Sequence, residues 1–288
     1  MNFYFTALIL GLGFSSLAFG IFISMRIFNI PDITTDGSFT LGGAVTSVLL
    51  VNEYPVGAAL ILSLVAGFGA GITTGFIHAR LKVNALLSGI LVMTALYSVN
   101  LGIMQRSNIP LMGSGNLFAA LPLFEDELLN KMTLMAVVVA VLFLFLYWLL
   151  LTDFGLAMRA TGNNEVMMRS LGTATGRMKI LGLGLANSLV AFSGSLITQV
   201  QGFADISMGI GIVILGLGSV ILGEMIMLLF GIKKLGWHLA GVIAGTLFFR
   251  IILAAALSWG VDPVYLKLVV AALVLGCIAL PAVKNRIL

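Results

Sequence analysis

Apolar runs separated by polar breaks repeat along the whole chain. They fall near residues 4–25, 39–51, 56–78, 84–104, 132–151, 180–200, 208–229, 238–257 and 263–281. A helix needs about 20 mainly apolar residues to cross a bilayer, and most of these runs reach that length. The pattern predicts an all-α fold, a polytopic transmembrane helical bundle of about eight to nine spans with at least one short or broken helix. The short one is the second, which covers only residues 39–51. It follows a polar break, Asn29-Ile30-Pro31-Asp32-Ile33-Thr34-Thr35-Asp36-Gly37-Ser38. Irregular backbone at membrane depth is tolerated only when it is buried in protein or lines a cavity. The break is therefore either an aqueous loop or part of an internal path. A second irregularity is the glycine-rich run 209–223, which ends at Glu224. It predicts a broken or tightly packed helix, with Glu224 capping a half-helix or facing water.

Composition sharpens this picture. Of 288 residues, 60% are hydrophobic and 9% charged, against about 25% charged in soluble proteins. So few charges cannot cover a water-facing surface, whereas a lipid-facing one disfavours them. The 34 glycines suit close packing of membrane helices. No polar stretch exceeds loop length, so residues 1–288 read as one transmembrane domain. Cys277 is the only cysteine, which excludes an intrachain disulfide and implies no metal cluster. His78 and His238 fall near predicted helix ends and read as interface residues. The N-terminus lacks the positive region of a signal peptide and reads as retained.

Charge then sets the orientation. Arg80, Lys82, Arg159, Arg169, Arg177, Lys179, Lys233, Lys234, Lys284 and Arg286 all fall on one set of alternating loops. The opposite set holds Arg106 and Lys131 beside Glu125, Asp126 and Glu127. Ten basic residues against two make the first set, and the C-terminus, cytoplasmic. Simple parity puts the N-terminus outside; a re-entrant second span would put it inside. The net charge of +4 arises from these loops and does not indicate nucleic-acid binding. Lys267 lies close enough to a span end to snorkel. Arg250 lies deeper and is either a packing residue paired with a carbonyl or carboxylate, or a charge lining a path.

The most informative segment is the loop of residues 152–179. Thr161 or Asn163 could cap a short helix of about 164–171, and Gly172 could end it. Val166, Met167, Met168 and Leu171 would give that helix an apolar surface, which needs cover either from the chain's own spans and the lipid interface or from a groove of another subunit.

This loop resembles the cytoplasmic coupling loop of the permeases that import branched-chain amino acids, monosaccharides and related solutes through ATP-binding-cassette systems. Arg159-Ala160-Thr161-Gly162-Asn163-Asn164 followed by Gly172 carries the likeness, and Ala186-Asn187-Ser188 and Ser193-Gly194-Ser195 continue it. The break at 30–39 and the stretch Gln201–Gly211 are similar to the tryptophan/tyrosine-type branch. The resemblance covers essentially the whole chain. It implies bacterial inner-membrane placement, two permease copies (a homodimer by default), two separate ABC ATPase subunits, and an extracytoplasmic solute-binding (lipo)protein docking near residues 105–131. It also implies a small solute as cargo, an amino acid with aromatic ones favoured. No Gly-x-x-x-x-Gly-Lys-Ser/Thr phosphate loop occurs in the chain, so ATP and Mg belong to the partner ATPase. The chain itself is expected to bind no cofactor or metal and to catalyse no reaction.

On this reading Arg159, Gly162, Asn163, Asn164, Met167, Met168, Arg169 and Gly172 couple to the ATPase. Candidates for the substrate path are Asp32, Thr34, Thr35, Ser38, Thr40, Asn100, Asn187, Ser193, Glu224 and Arg250. Each of these polar residues has an equally simple role as an interhelical hydrogen bond, worth about 1 kcal/mol or less. Two rival readings remain. An ion-driven secondary transporter would need acids deep in the spans and broken helices in both halves. A non-transporting membrane scaffold would leave the loop helix unexplained.

Overall fold

The computed structural model describes residues 2–229, 231 and 234–287. Lys233 lies outside the described residues, as do the side chains of Cys277, Lys284 and Arg286. Six described helices are long and apolar enough to cross a membrane: α1 (Asn2–Ile21) with its π-helical continuation Phe22–Ile27, α3 (Val56–Arg80), α4 (Ala85–Met104), α6 (Glu127–Leu151), α9 (Thr175–Gln201) and α11 (Leu235–Ser258). The other three predicted spans are also helices, but of different character. These are α2 (Thr34–Val51), α10 (Ile212–Leu229) and α12 (Leu266–Ile287). Short helices α5 (Leu117–Ala120), α7 (Asp153–Asn163) and α8 (Glu165–Ser170) occupy loops. The all-α expectation needs one amendment: strands β1 (Asn108–Pro110) and β2 (Phe203–Asp205) pair antiparallel, Asn108 opposite Asp205.

α2 is longer than its apolar run. It starts at Thr34 and has 18 residues, so the polar break supplies its first turn. The hydropathy of that turn hid it, because Thr34, Thr35 and Ser38 find buried partners instead of lipid. α2 is not re-entrant. It leaves the break near Asn187 of α9 and ends where Leu50 packs with Leu111, at the β-sheet end. The helices alternate in direction around it, which places the N-terminus at the β-sheet end and α7 and α8 at the opposite end.

α1 and α9 form the centre, with 78% and 83% of their apolar windows buried. α9 is parallel to α2, as the equal sequence offset of Ser38–Asn187 and Thr46–Ser195 shows. Small residues set how closely its neighbours approach. A Cβ on Gly42 would meet the Ala191 carbonyl oxygen at 1.8 Å, one on Gly71 the Leu183 oxygen at 2.1 Å, and one on Gly194 the Phe39 oxygen at 1.9 Å. Backbone cannot yield there without parting the helices. Hydroxyls bridge the same crossings: Ser16 donates to the Leu189 carbonyl at 2.7 Å, Ser188 to Leu64 at 2.8 Å, and Ser193 to Gly13 at 2.8 Å. Lipid offers helices no hydrophobic reason to associate, so close packing and such bonds must supply it.

Gly42→Val and Gly194→Val should each lower stability by at least about 1–3 kcal/mol, the usual cost of overpacking, measured as a fall in Tm of the detergent-solubilised protein. Gly57→Ala, where a Cβ meets nothing within 4 Å, should leave Tm within error.

Candidate functional site

At one end of the bundle α6 turns at Thr152 into α7, and Asn164 ends α7 and begins α8. Asn164 is extended (φ −151°) and its Oδ1 accepts from the Met167 N–H at 3.0 Å. The cap thus lies at Asn164, where the sequence pointed to Thr161 or Asn163. Those two are already helical, in the last turn of α7. Gly172 follows α8 with φ +82°, a left-handed conformation that favours glycine.

The expected coupling residues divide into two sets. Val166 is 77% exposed and Leu171 71%; Asn163, Asn164, Met167 and Arg169 are exposed beside them, while Met168 turns inward. Glu165 fastens α8 to the start of α9. Its carboxylate accepts from Lys179 at 2.6 Å, Arg169 at 2.8 Å and Thr175 at 3.2 Å. The Lys179 ammonium holds this carboxyl below its ordinary value of 4.5. The second set faces into the protein. Gly162 packs on the π-helical turn, where a Cβ would meet the Ile27 carbonyl oxygen at 1.7 Å. Arg159 lines a cavity of about 350 Å³ with Arg26, Asn163, Glu224 and His238.

Arg26 was not singled out in the sequence. It follows directly on the first apolar run, and its Nε lies 2.5 Å from Glu224 Oε1 of α10. Glu224 lies inside α10, so it caps no half-helix; it pairs with Arg26 on the wall of the cavity that Arg159 lines. The π-helix that presents Arg26 is a geometry often found at functional sites.

Deeper in the bundle, the polar break and α9 share one network. Asn187 donates to Asp32 Oδ2 at 2.6 Å and accepts from Ser38 at 2.7 Å. The Thr34 N–H donates to Asp32 Oδ1 at 2.9 Å, and the Thr34 and Thr74 hydroxyls bond at 2.7 Å. Thr35 donates to the Asp32 carbonyl, Thr40 to that of Asp36, and Asn100 to that of Gly37. Asp32, Thr34, Thr35, Ser38 and Asn187 are all wholly buried. These side chains bond to one another and to nearby backbone, so the break is buried in protein and is not an aqueous loop. Asp36 was also missed. Its carboxylate accepts from the Gly211 and Val213 N–H groups at 2.8 and 3.0 Å. It caps α10 from 175 residues away, placing an anion where the helix dipole is positive. Arg250 stands apart from this network, its guanidinium 3.9 Å over the Phe14 ring. Among the described residues, no group of His, Cys, Asp or Glu is placed to hold a metal ion.

A core of long apolar helices with a small tethered helix at one end and a polar break buried at its centre is the architecture of a multi-pass membrane protein. Comparison with known proteins makes the class specific. Residues 3–279 match the family model of the permease component of branched-chain amino acid transport systems, and the chain belongs to that family. It is 35% identical over 270 residues to a tyrosine transport system permease protein of Clostridioides difficile (strain R20291), covering 92% of this chain and 86% of that one. An uncharacterized protein of Rickettsia prowazekii (strain Madrid E) is 37% identical over 99% of both chains. Among solved structures, an inward-facing metal-chelate type ABC transporter has a similar fold, with TM-score 0.53 and 14% identity over 98% of this chain and 86% of that one.

Asn187→Leu should cost about 1–3 kcal/mol or more, because it strips partners from a buried carboxyl and a buried hydroxyl; a Tm unchanged from wild type would contradict the network. Because the folded Glu165 carboxyl sits below 4.5, its contribution is complete above that pH and lost as the pH falls through the lower, folded value. The protection factors of the α8 amides, which correct for the pH dependence of intrinsic exchange, should therefore hold down to pH 4.5 and fall only in more acid solution.

Proposed function

We propose that this chain is the membrane-spanning permease of an ATP-driven bacterial importer, working as a homodimer with two copies of a separate ABC ATPase. The observation that carries the reading is α8. An isolated six-residue helix is too short to be stable by itself, yet it is tethered to α9 and turns Val166, Met167 and Leu171 outward. Apolar side chains held out on a fastened helix form a plug for a groove. ATP binding would close the ATPase pair, push on α8, and pass through the Glu165–Lys179 link into α9. The Asn187 network would carry the shift to α2 and, through Asp36, to α10. A nucleotide can drive this only by binding the two states differently.

The charge pattern supports placing the α8 end in the cytoplasm, with the C-terminus on the same side in the inner membrane. Arg80, Lys82, Arg169, Arg177 and Lys179 line one cavity at that end. The β-sheet end would then meet the solute-binding protein, where Met112, Leu123 and Phe124 are exposed. The cargo is an amino acid, aromatic by analogy with the tyrosine permease relative. ATP and Mg are bound by the ATPase, and this chain contributes the path.

Co-purification with the ATPase and an ATPase assay in lipid test this. Val166→Asp/Leu171→Asp should weaken the complex about tenfold or more, as loss of a central apolar contact does, while the Tm of the permease stays unchanged. A complex and ATPase rate indifferent to both changes would remove the reading's main support and favour an ion-driven transporter.

A further inference from the structure

A cavity of about 580 Å³ lies between α1, α2, α9, α10, α11 and α12 and reaches the β-sheet end at Phe203 and Ser207. Its volume is in the range of small-molecule sites. Most of its wall is apolar, including Phe14, Phe39, Ile197, Ile214 and Leu215. Two cationic side chains interrupt that wall, Arg250 and Lys267.

Formal charge balances here, since two carboxylates stand by the two cations, but hydrogen bonding does not. Asp205 is the carboxylate on the wall, but its oxygens are taken by Ser207 and Asn108. Asp36 beside the cavity spends both oxygens on the first turn of α10. Arg250 has the Phe14 ring under it, while its Nε is sealed from solvent without a hydrogen-bond partner. A guanidinium presents five donors in a planar fork that fits a carboxylate. An aromatic face attracts the cation but fills none of those donors. Intramembrane charges that face a cavity mark the paths of polar solutes.

We infer that Arg250 is the carboxylate-reading residue of a solute site in this cavity, and that its ligand is a small organic carboxylate with an apolar or aromatic body. The inference rests on the transport reading above and supplies the ligand chemistry for it. The guanidinium fork takes the carboxylate, and the apolar wall takes the remainder. Ile210, 60% exposed on the lining, marks the mouth.

The test uses the permease alone in nanodiscs, without ATPase, so it can fail while the importer reading stands. Cys277→Ser removes the native thiol, and Ile210→Cys provides a reporter. The reporter is modified with an anionic sulfonated methanethiosulfonate or with its cationic trimethylammonium counterpart. The anionic reagent should react about tenfold faster, since the Asp205 and Asp36 carboxylates are already hydrogen-bonded while the guanidinium fork of Arg250 is open to an anion. Arg250→Gln should cut the preference severalfold, leaving only what Lys267 contributes, and Arg250→Lys should keep most of it. With Arg250 intact, tyrosine and 3-(4-hydroxyphenyl)propionate should slow modification, whereas tyramine, which has no carboxylate, should not. Equal rates for the two reagents, a preference undiminished by Arg250→Gln, or protection by tyramine equal to that by the carboxylates would each overturn the assignment. The ligand comparison keeps the test open if Arg250→Gln does not fold.

Discussion

Asn187 on α9 holds Asp32 with one end of its amide and Ser38 with the other. Much of the architecture depends on this bond pair. An ionisable carboxyl wholly removed from water is tolerated only when its oxygens are engaged. The Asn187 amide and the Thr34 N–H engage them. Once Asp32 is fixed, the chain can turn from α1 into α2 inside the protein, and α2 can run parallel to α9 on the small residues Gly42 and Gly194. Replacing any one of these groups leaves others unpaired, which makes the network cooperative.

The same bonds join elements far apart in sequence. Glu165 ties α8 to α9, Asn187 ties α9 to α2, and Asp36 of α2 caps α10. Beyond α10 lies the cavity that Arg250 lines. Near the α8 end, the Arg26–Glu224 pair joins the π-helical turn to the far part of α10. α10 is thus held at its start by a carboxylate from α2 and farther along by a guanidinium from α1. These links run through packed helices rather than loops, and packed interfaces tend to switch between arrangements rather than deform gradually.

The helices were legible wherever apolar length alone specified them, and the motif around residues 159–172 pointed to the family. Most of what escaped the sequence has one physical cause: partners distant along the chain. The first turn of α2 looked like loop because Thr34, Thr35 and Ser38 are polar, and only their partners on α3, α9 and the break itself make them helical and buried. Asp36 gave no local sign that it caps α10. Arg26 and Glu224 each sat at an edge of an apolar run, with nothing to show that they meet. Asn164 was passed over as the cap because α7 is too polar to register as a helix before it. The outward turn of Val166 and Leu171 was likewise an open question until Met168 was seen to take the inward position.

The central claim is that α8 enters a second subunit and not the lipid surface. Cysteines placed one at a time at positions 166, 167, 168 and 171 of a Cys277→Ser permease, co-expressed with the ATPase, test it by crosslinking in membranes. The account predicts strong crosslinks to the ATPase from 166, 167 and 171 and little from the inward-facing 168. Crosslinks to no protein, together with labelling of 166 and 171 by a lipid-phase reagent, would contradict it.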